Sequence, residues 1–297
     1  VVSVGTLAFL LLQIDLRHAM GHVDARVAWV LIPSLLLYVG LSLWIEAVSL
    51  VRLLPRSSAP LTSWTCAKLK AASYPLGLLH YALGAGGLAL LLRRRGALRV
   101  TDAVGIVMLI SLFDLGLLLA LTALGAGLLS TREPAVQASF GVAAVVGIAL
   151  GFTFLRTSAS FRSLDRVRNL EFFRALREAS PRSLVELGVL RLLFLLCFIT
   201  LGAAALEAFG VSVTLGDLIV NLAGVALVSV LPIAVAGLGT GQVAFVYLFR
   251  GWADPSTLLA CSLTLSAGLI ALRAAIGLVF ARELTREALV AARKAEA

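Results

Sequence analysis

Long apolar runs separated by short polar connectors dominate the chain. They cover Val1–Ile14, Val27–Leu50, Lys68–Leu92, Ala103–Leu129, Ala135–Leu155, Leu184–Leu206, Asp217–Phe249 and Thr257–Ala281. At about 20 residues per helical crossing, the pattern predicts six full spans and two paired, shorter insertions. The insertions are Lys68–Leu92 and Asp217–Phe249, each broken near its middle by glycine. The first break is Leu83-Gly84-Ala85-Gly86-Gly87 and the second is Gly237-Leu238-Gly239-Thr240-Gly241. Irregular backbone at membrane depth persists only where protein or a water-filled cavity surrounds it, because bare N–H and C=O groups are costly in lipid. Paired breaks in two halves of a membrane chain point to a substrate path. Pro33, Pro75 and Pro232 each remove a helix hydrogen bond and predict kinks.

Composition agrees with this pattern. The chain is 60% hydrophobic with a mean hydropathy of +1.02, against roughly 45–50% apolar residues in soluble domains. The fold class is an all-α integral membrane protein. The net charge of +9 does not imply nucleic acid, because the basic residues fall in short connectors, where they set orientation and meet anionic head groups.

Four connectors hold most of the charge: four basic residues in 52–70, four in 93–99, seven in 156–182 and four in the tail from 282. Placing them all inside gives 19 cytoplasmic basic residues against 4 outside. That assignment requires 68–92 to start and end inside and 217–249 to start and end outside. Residues 1–131 then read span, span, inside insertion, span. Residues 132–297 repeat the order upside down, which predicts inverted repeats with both termini cytoplasmic. Within 156–182, Phe161, Leu164, Val167, Leu170, Phe173 and Leu176 recur every three residues between arginines. That segment is either an interfacial amphipathic helix or a plain basic loop.

Charges inside spans are rare and expensive, so each is a functional candidate. Asp114 and Arg273 lie deepest, in corresponding places of the two halves. They are expected to form a pair, which is either a structural ion pair or one that opens to hold a phosphate bidentately. Arg191 and Glu186 are expected to snorkel from an inside end, and Glu46 and Glu207 to sit at span ends. The breaks add Ser73, Tyr74, His80 and Tyr81 in the first insertion, and Asn221, Thr240 and Gln242 in the second. Gly84, Gly86, Gly87, Gly237 and Gly239 would let a head group approach the backbone, or would simply pack helices. His80 is a candidate for proton coupling, or else a hydrogen-bonded packing residue. Three cysteines and three histidines form no disulfide framework or metal cluster, and no phosphate-binding loop is visible. No cofactor, metal or cleaved signal peptide is expected.

The stretch from Leu231 to Ala244, Leu-Pro-Ile-Ala-Val-Ala-Gly-Leu-Gly-Thr-Gly-Gln-Val-Ala, resembles the "LPxxxGGLGxxEGA" signature of the flippase-like transmembrane family of lysylphosphatidylglycerol synthetase. Gly84–Gly96, ending Leu-Leu-Leu-Arg-Arg-Arg-Gly, resembles that family's "RAxLLRRRG" motif, and Asp114 matches the Asp of its "ERxxD". The Glu-Arg of that motif falls at Ile110 and Ser111, and the usual Arg-Glu near Gly239 becomes Gly241-Gln242. The resemblance implies a stand-alone flippase-like member in a bacterial cytoplasmic membrane, moving a phospholipid or lipid-linked head group between leaflets. The lost charges imply a substrate other than the aminoacylated lipid. Its expected partners are membrane lipids, anionic or glycosylated, with a homodimer or a lipid-synthesis enzyme as further candidates. A non-catalytic accessory subunit is the main alternative. A membrane-embedded transferase ranks lower, because no paired carboxylates or His–Asp constellation stands ready as a general base.

Overall fold

The computed structural model describes residues 25–55, 59–128, 180–230 and 239–296. Among them are eight helices and no strand: α1 (Ala25–Leu53), α2 (Ser63–Leu79), α3 (Tyr81–Gly96), α4 (Val100–Leu128), α5 (Pro181–Ala208), α6 (Leu215–Val230), α7 (Thr240–Phe249) and α8 (Pro255–Glu296). Helices α1, α4, α5 and α8 are long and apolar enough to cross a membrane. The expected spans Val1–Ile14 and Ala135–Leu155, the amphipathic stretch within 156–182, Pro232 and Gly237 lie outside the described residues.

Local chemistry sets the helix ends. Thr62 Oγ1 accepts from the Thr65 N–H at 3.2 Å to start α2. Ser180 Oγ accepts from the Ser183 N–H at 3.1 Å, with Pro181 opening α5. Side-chain oxygens here satisfy amide donors that a helix start leaves free. Asp254 starts α8, accepting from the Thr257 N–H at 3.0 Å and its Oγ1 at 2.8 Å. Hydrogen bonds from Ser256 and Thr257 hold its carboxyl below the usual carboxylate range. Helix α3 ends on Arg93, Arg94 and Arg95, before Ala97 in the left-handed region at φ 52°. Cations there meet the negative end of the helix dipole.

Two hydrophobic clusters define the ends of the bundle. One gathers Leu50 of α1, Leu69 of α2, Leu92 of α3, Ile106 of α4 and Leu187 of α5, with Leu284 of α8 against it. The other gathers Val27 of α1, Leu118 of α4, Leu206 of α5, Leu222 of α6, Phe249 of α7 and Leu258 of α8. The first is the basic end: Arg52, Lys68, Arg93, Arg94, Arg95, Arg99, Arg182 and Arg282 border it, against Arg26 and Arg250 at the other. Helix α1 therefore runs towards the basic end, α4 and α5 run away from it, and α8 returns.

Each insertion is an antiparallel helical hairpin. The Ala59 N–H donates to the Gly96 carbonyl at 3.0 Å, closing the base of α2–α3 at the basic end. In α6–α7, Gly224 faces Leu248 and Gly241 faces Ser229, so the two helices run antiparallel from the opposite end.

The first break sits elsewhere than expected. The helix stops at His80, which is extended (φ −161°, ψ 137°), while Gly84, Gly86 and Gly87 are helical within α3. His80 Nδ1 accepts from the Ala82 N–H at 3.2 Å, capping α3. Gly84 and Gly87 allow close packing instead. A Cβ on Gly84 would lie 2.6 Å from the Gly77 Cα, and one on Gly87 would lie 2.5 Å from Leu76 Cδ1. The last span also differs, since α8 continues past Ala281 to Glu296. Lys68 of α2 pairs with Glu283 there, Trp64 meets Phe280 edge-on, and Gly277 lets Pro75 approach.

Candidate functional site

Described residues beside the turns of both hairpins line one cavity of about 460 Å³. His80, Tyr81 and Gly84 line it from the first tip, and Ser229, Gly241 and Gln242 from the second. The long helices complete the wall: Tyr38 and Glu46 from α1, Ser111 and Asp114 from α4, Arg191 from α5, and Ser266 and Arg273 from α8. Tyr81, 54% exposed, stands at the rim, and its hydroxyl lies 2.9 Å from Ser111 Oγ, bridging α3 and α4.

Among the described residues, five charged side chains line the cavity: cations Lys70, Arg191 and Arg273 and anions Glu46 and Asp114. Three positive against two negative leaves one net positive charge. Lys70 Nζ pairs with Glu46 at 2.8 Å. Arg191, with a side chain 0% exposed, lies 3.5 Å from Asp114 and donates to Ser49 Oγ at 3.1 Å. Its guanidinium also sits 4.8 Å from the Phe194 ring centre.

This pairing corrects two expectations. Asp114 is partnered by Arg191 and not by Arg273, because the α4 face that bears it turns towards α5. Arg191 does not snorkel. It points into the bundle, where a carboxylate and a serine satisfy part of its fork. Arg273 is left without a carboxylate within salt-bridge distance among the described residues. It makes a long 3.5 Å approach to Tyr38 Oη and lies 5.9 Å and 5.5 Å from the Tyr38 and Tyr74 ring centres. Arg273 Nε, Arg191 Nε and Tyr74 Oη are all buried without a hydrogen-bond partner.

Of the other candidates, Gln242 is 2% exposed. Its Oε1 accepts from the Gly239 N–H at 2.6 Å and its Nε2 donates to Ser266 Oγ at 3.0 Å. Gly239, at φ 101°, makes the turn into α7. Thr240 Oγ1 is buried and unpartnered. Asn221 and Thr240 do not line the cavity, and Gly86 and Gly87 face a separate outer groove with Leu76 and Arg93. Sequence reasoning placed Glu46 only at a span end, and it passed over Lys70, Tyr38 and Ser266 as lining residues. A helical-period polar stripe would have revealed the first and third: Tyr38, Ser42, Glu46 and Ser49 share one face of α1.

The fold and cavity define an all-helical, multi-pass membrane protein with a polar interior assembled from two hairpins. A family model described as the lysylphosphatidylglycerol synthase TM region matches residues 1–277, and the chain belongs to that family. The membership points to a function connected with membrane lipids. No curated protein and no solved structure matches the chain.

Proposed function

We propose that the chain is a lipid translocator in the bacterial cytoplasmic membrane, passing a polar head group through the cavity while the acyl chains stay in the bilayer. The observation that carries this reading is the meeting of two hairpin tips, based at opposite ends, around one charged cavity. Half-crossing segments that converge on a site suit a passage reached alternately from either leaflet. A rim at the exposed Tyr81 gives the head group a lateral way in. The two halves form an inverted repeat in this reading: α1, α2–α3 and α4 correspond to α5, α6–α7 and α8, with reversed direction. The basic end faces the cytoplasm by the positive-inside tendency. No covalent step is assigned, because the cavity carboxylates are both engaged by cations.

The test is head-group-labelled phospholipid in reconstituted vesicles, with transfer between leaflets read by a membrane-impermeant quencher. Wild type is expected to exceed protein-free vesicles. Ala85→Phe, which fills the cavity wall on α3 without touching a charge, is expected to slow transfer by roughly tenfold, equivalent to about 1.4 kcal/mol of barrier. Transfer no faster than in protein-free vesicles would rule out translocation and favour the accessory role.

A further inference from the structure

The charge pairing inside the cavity bears on the kind of head group it takes. Two of its three cations are matched by carboxylates, Lys70 by Glu46 and Arg191 by Asp114. Arg273 is not. Arg273 is only partly buried as a residue, but its Nε is buried without a partner, and a guanidinium facing a cavity inside a membrane protein favours an anion or further acceptors to complete it. Beside it, Tyr74 is 9% exposed and its hydroxyl also lacks a partner. Tyr38 Oη lies against the other side of the guanidinium. Together these groups offer donors around one point, and among the described residues Glu46, already paired with Lys70, is the carboxylate whose charge reaches them.

Two serines elsewhere in the cavity can act as acceptors. Ser73 Oγ donates to the Lys70 carbonyl at 2.7 Å and Ser229 Oγ donates to the Val225 carbonyl at 2.7 Å. Their hydroxyl protons are thus used within their own helices, and their free lone pairs can accept from a ligand hydroxyl. Among the described residues lining the cavity, both carboxylates are paired with cations, so none is free to receive an ammonium.

We propose that Arg273, Tyr38 and Tyr74 form a subsite for a singly charged phosphodiester whose distal group is a neutral, hydroxyl-bearing alcohol. This rests on the reading of the cavity as a head-group passage. The phosphodiester oxygens accept from Arg273 and Tyr74, and the distal hydroxyls donate to serine oxygens across the cavity. A zwitterionic head group leaves its ammonium without a free carboxylate. A head group of net positive charge is repelled by the cavity's surplus cation.

The test uses the detergent-solubilised full chain offered equal amounts of phosphatidylglycerol and phosphatidylethanolamine, with bound lipid counted by native mass spectrometry. Wild type is expected to hold phosphatidylglycerol in roughly tenfold excess, the scale of one hydrogen bond to a charged group. Arg273→Gln is expected to abolish the preference. Tyr74→Phe, which removes only the unpartnered hydroxyl, is expected to reduce it about threefold and decides the matter if the arginine variant does not fold. No preference in wild type, or an undiminished one in Tyr74→Phe, overturns the subsite. The deacylated diester glycerophosphoglycerol is expected to compete far more weakly than the lipid. Equal competition would overturn the lipid as the source of the phosphodiester. Vesicle transfer separates the two readings: selective binding without transfer sinks the passage, and transfer without selectivity sinks the subsite.

Discussion

Arg191 shows how a charge survives in the interior of a membrane helix. It has a carboxylate at 3.5 Å, a serine at 3.1 Å and an aromatic face beside it, so its charge is shared among three elements. Removing one partner strands the other, and breaking such a pair costs about 3–5 kcal/mol. Asp114, 29% exposed towards the cavity, keeps some access to solvent, which places the effect at the lower end. Asp114→Asn is expected to destabilise by about 3 kcal/mol, and Asp114→Asn with Arg191→Gln by clearly less, read as thermal unfolding in detergent. Additive losses would mean that the pair is not coupled. The sequence marked Asp114 and Arg273 as deep charges, and both do line the cavity. It did not reveal their partners, because partner choice depends on which faces of α1, α4, α5 and α8 turn inward. Lys70 was read as a connector charge because it opens an apolar run, yet Ser73, Tyr74 and Gly77 continue its face along α2.

At the level of elements, glycine sets how closely the first hairpin closes. Gly84 lies where any side chain meets the backbone of Gly77, whereas Gly86 faces open space. Overpacking costs about 1–3 kcal/mol, while alanine in place of an exposed helical glycine gains about 0.5–1 kcal/mol. Gly84→Ala is therefore expected to lower thermal stability and Gly86→Ala to leave it unchanged or raise it. Equal effects would contradict the close approach. That two shorter helical pairs accompany the long spans was legible from hydrophobic length and glycine breaks. The position of the first break was not. Glycine clusters signal either irregular backbone or close packing, and only the geometry of α2 against α3 distinguishes them. His80 carries the turn because its ring supplies the acceptor that the start of α3 lacks.

At the scale of the whole molecule, the proposed insertion of the hairpins from opposite faces makes a labelling outcome definite. Single cysteines in place of Arg94 and Arg250, in a background lacking Cys66, Cys197 and Cys261, are expected to react with an impermeant thiol reagent from opposite faces of sealed vesicles. Labelling from the same face would refute the arrangement. The all-helical, multi-pass class followed from composition alone, since 60% apolar residues in long runs leave few alternatives. The convergence of both tips on one cavity did not, because it depends on contacts between residues more than a hundred positions apart.

Helix α7 has 10 residues, so it rises about 15 Å from its base, half of a hydrocarbon core about 30 Å thick. In the proposed arrangement, a cavity lined by charged side chains at that depth would divide the insulating layer into two thinner dielectric slabs. The membrane voltage, worth about 2.3 kcal/mol per elementary charge per 100 mV for a full crossing, then falls across each slab separately. An anionic head group passing through would experience the field as two smaller steps, and a resting potential that is negative inside would favour its outward movement at each.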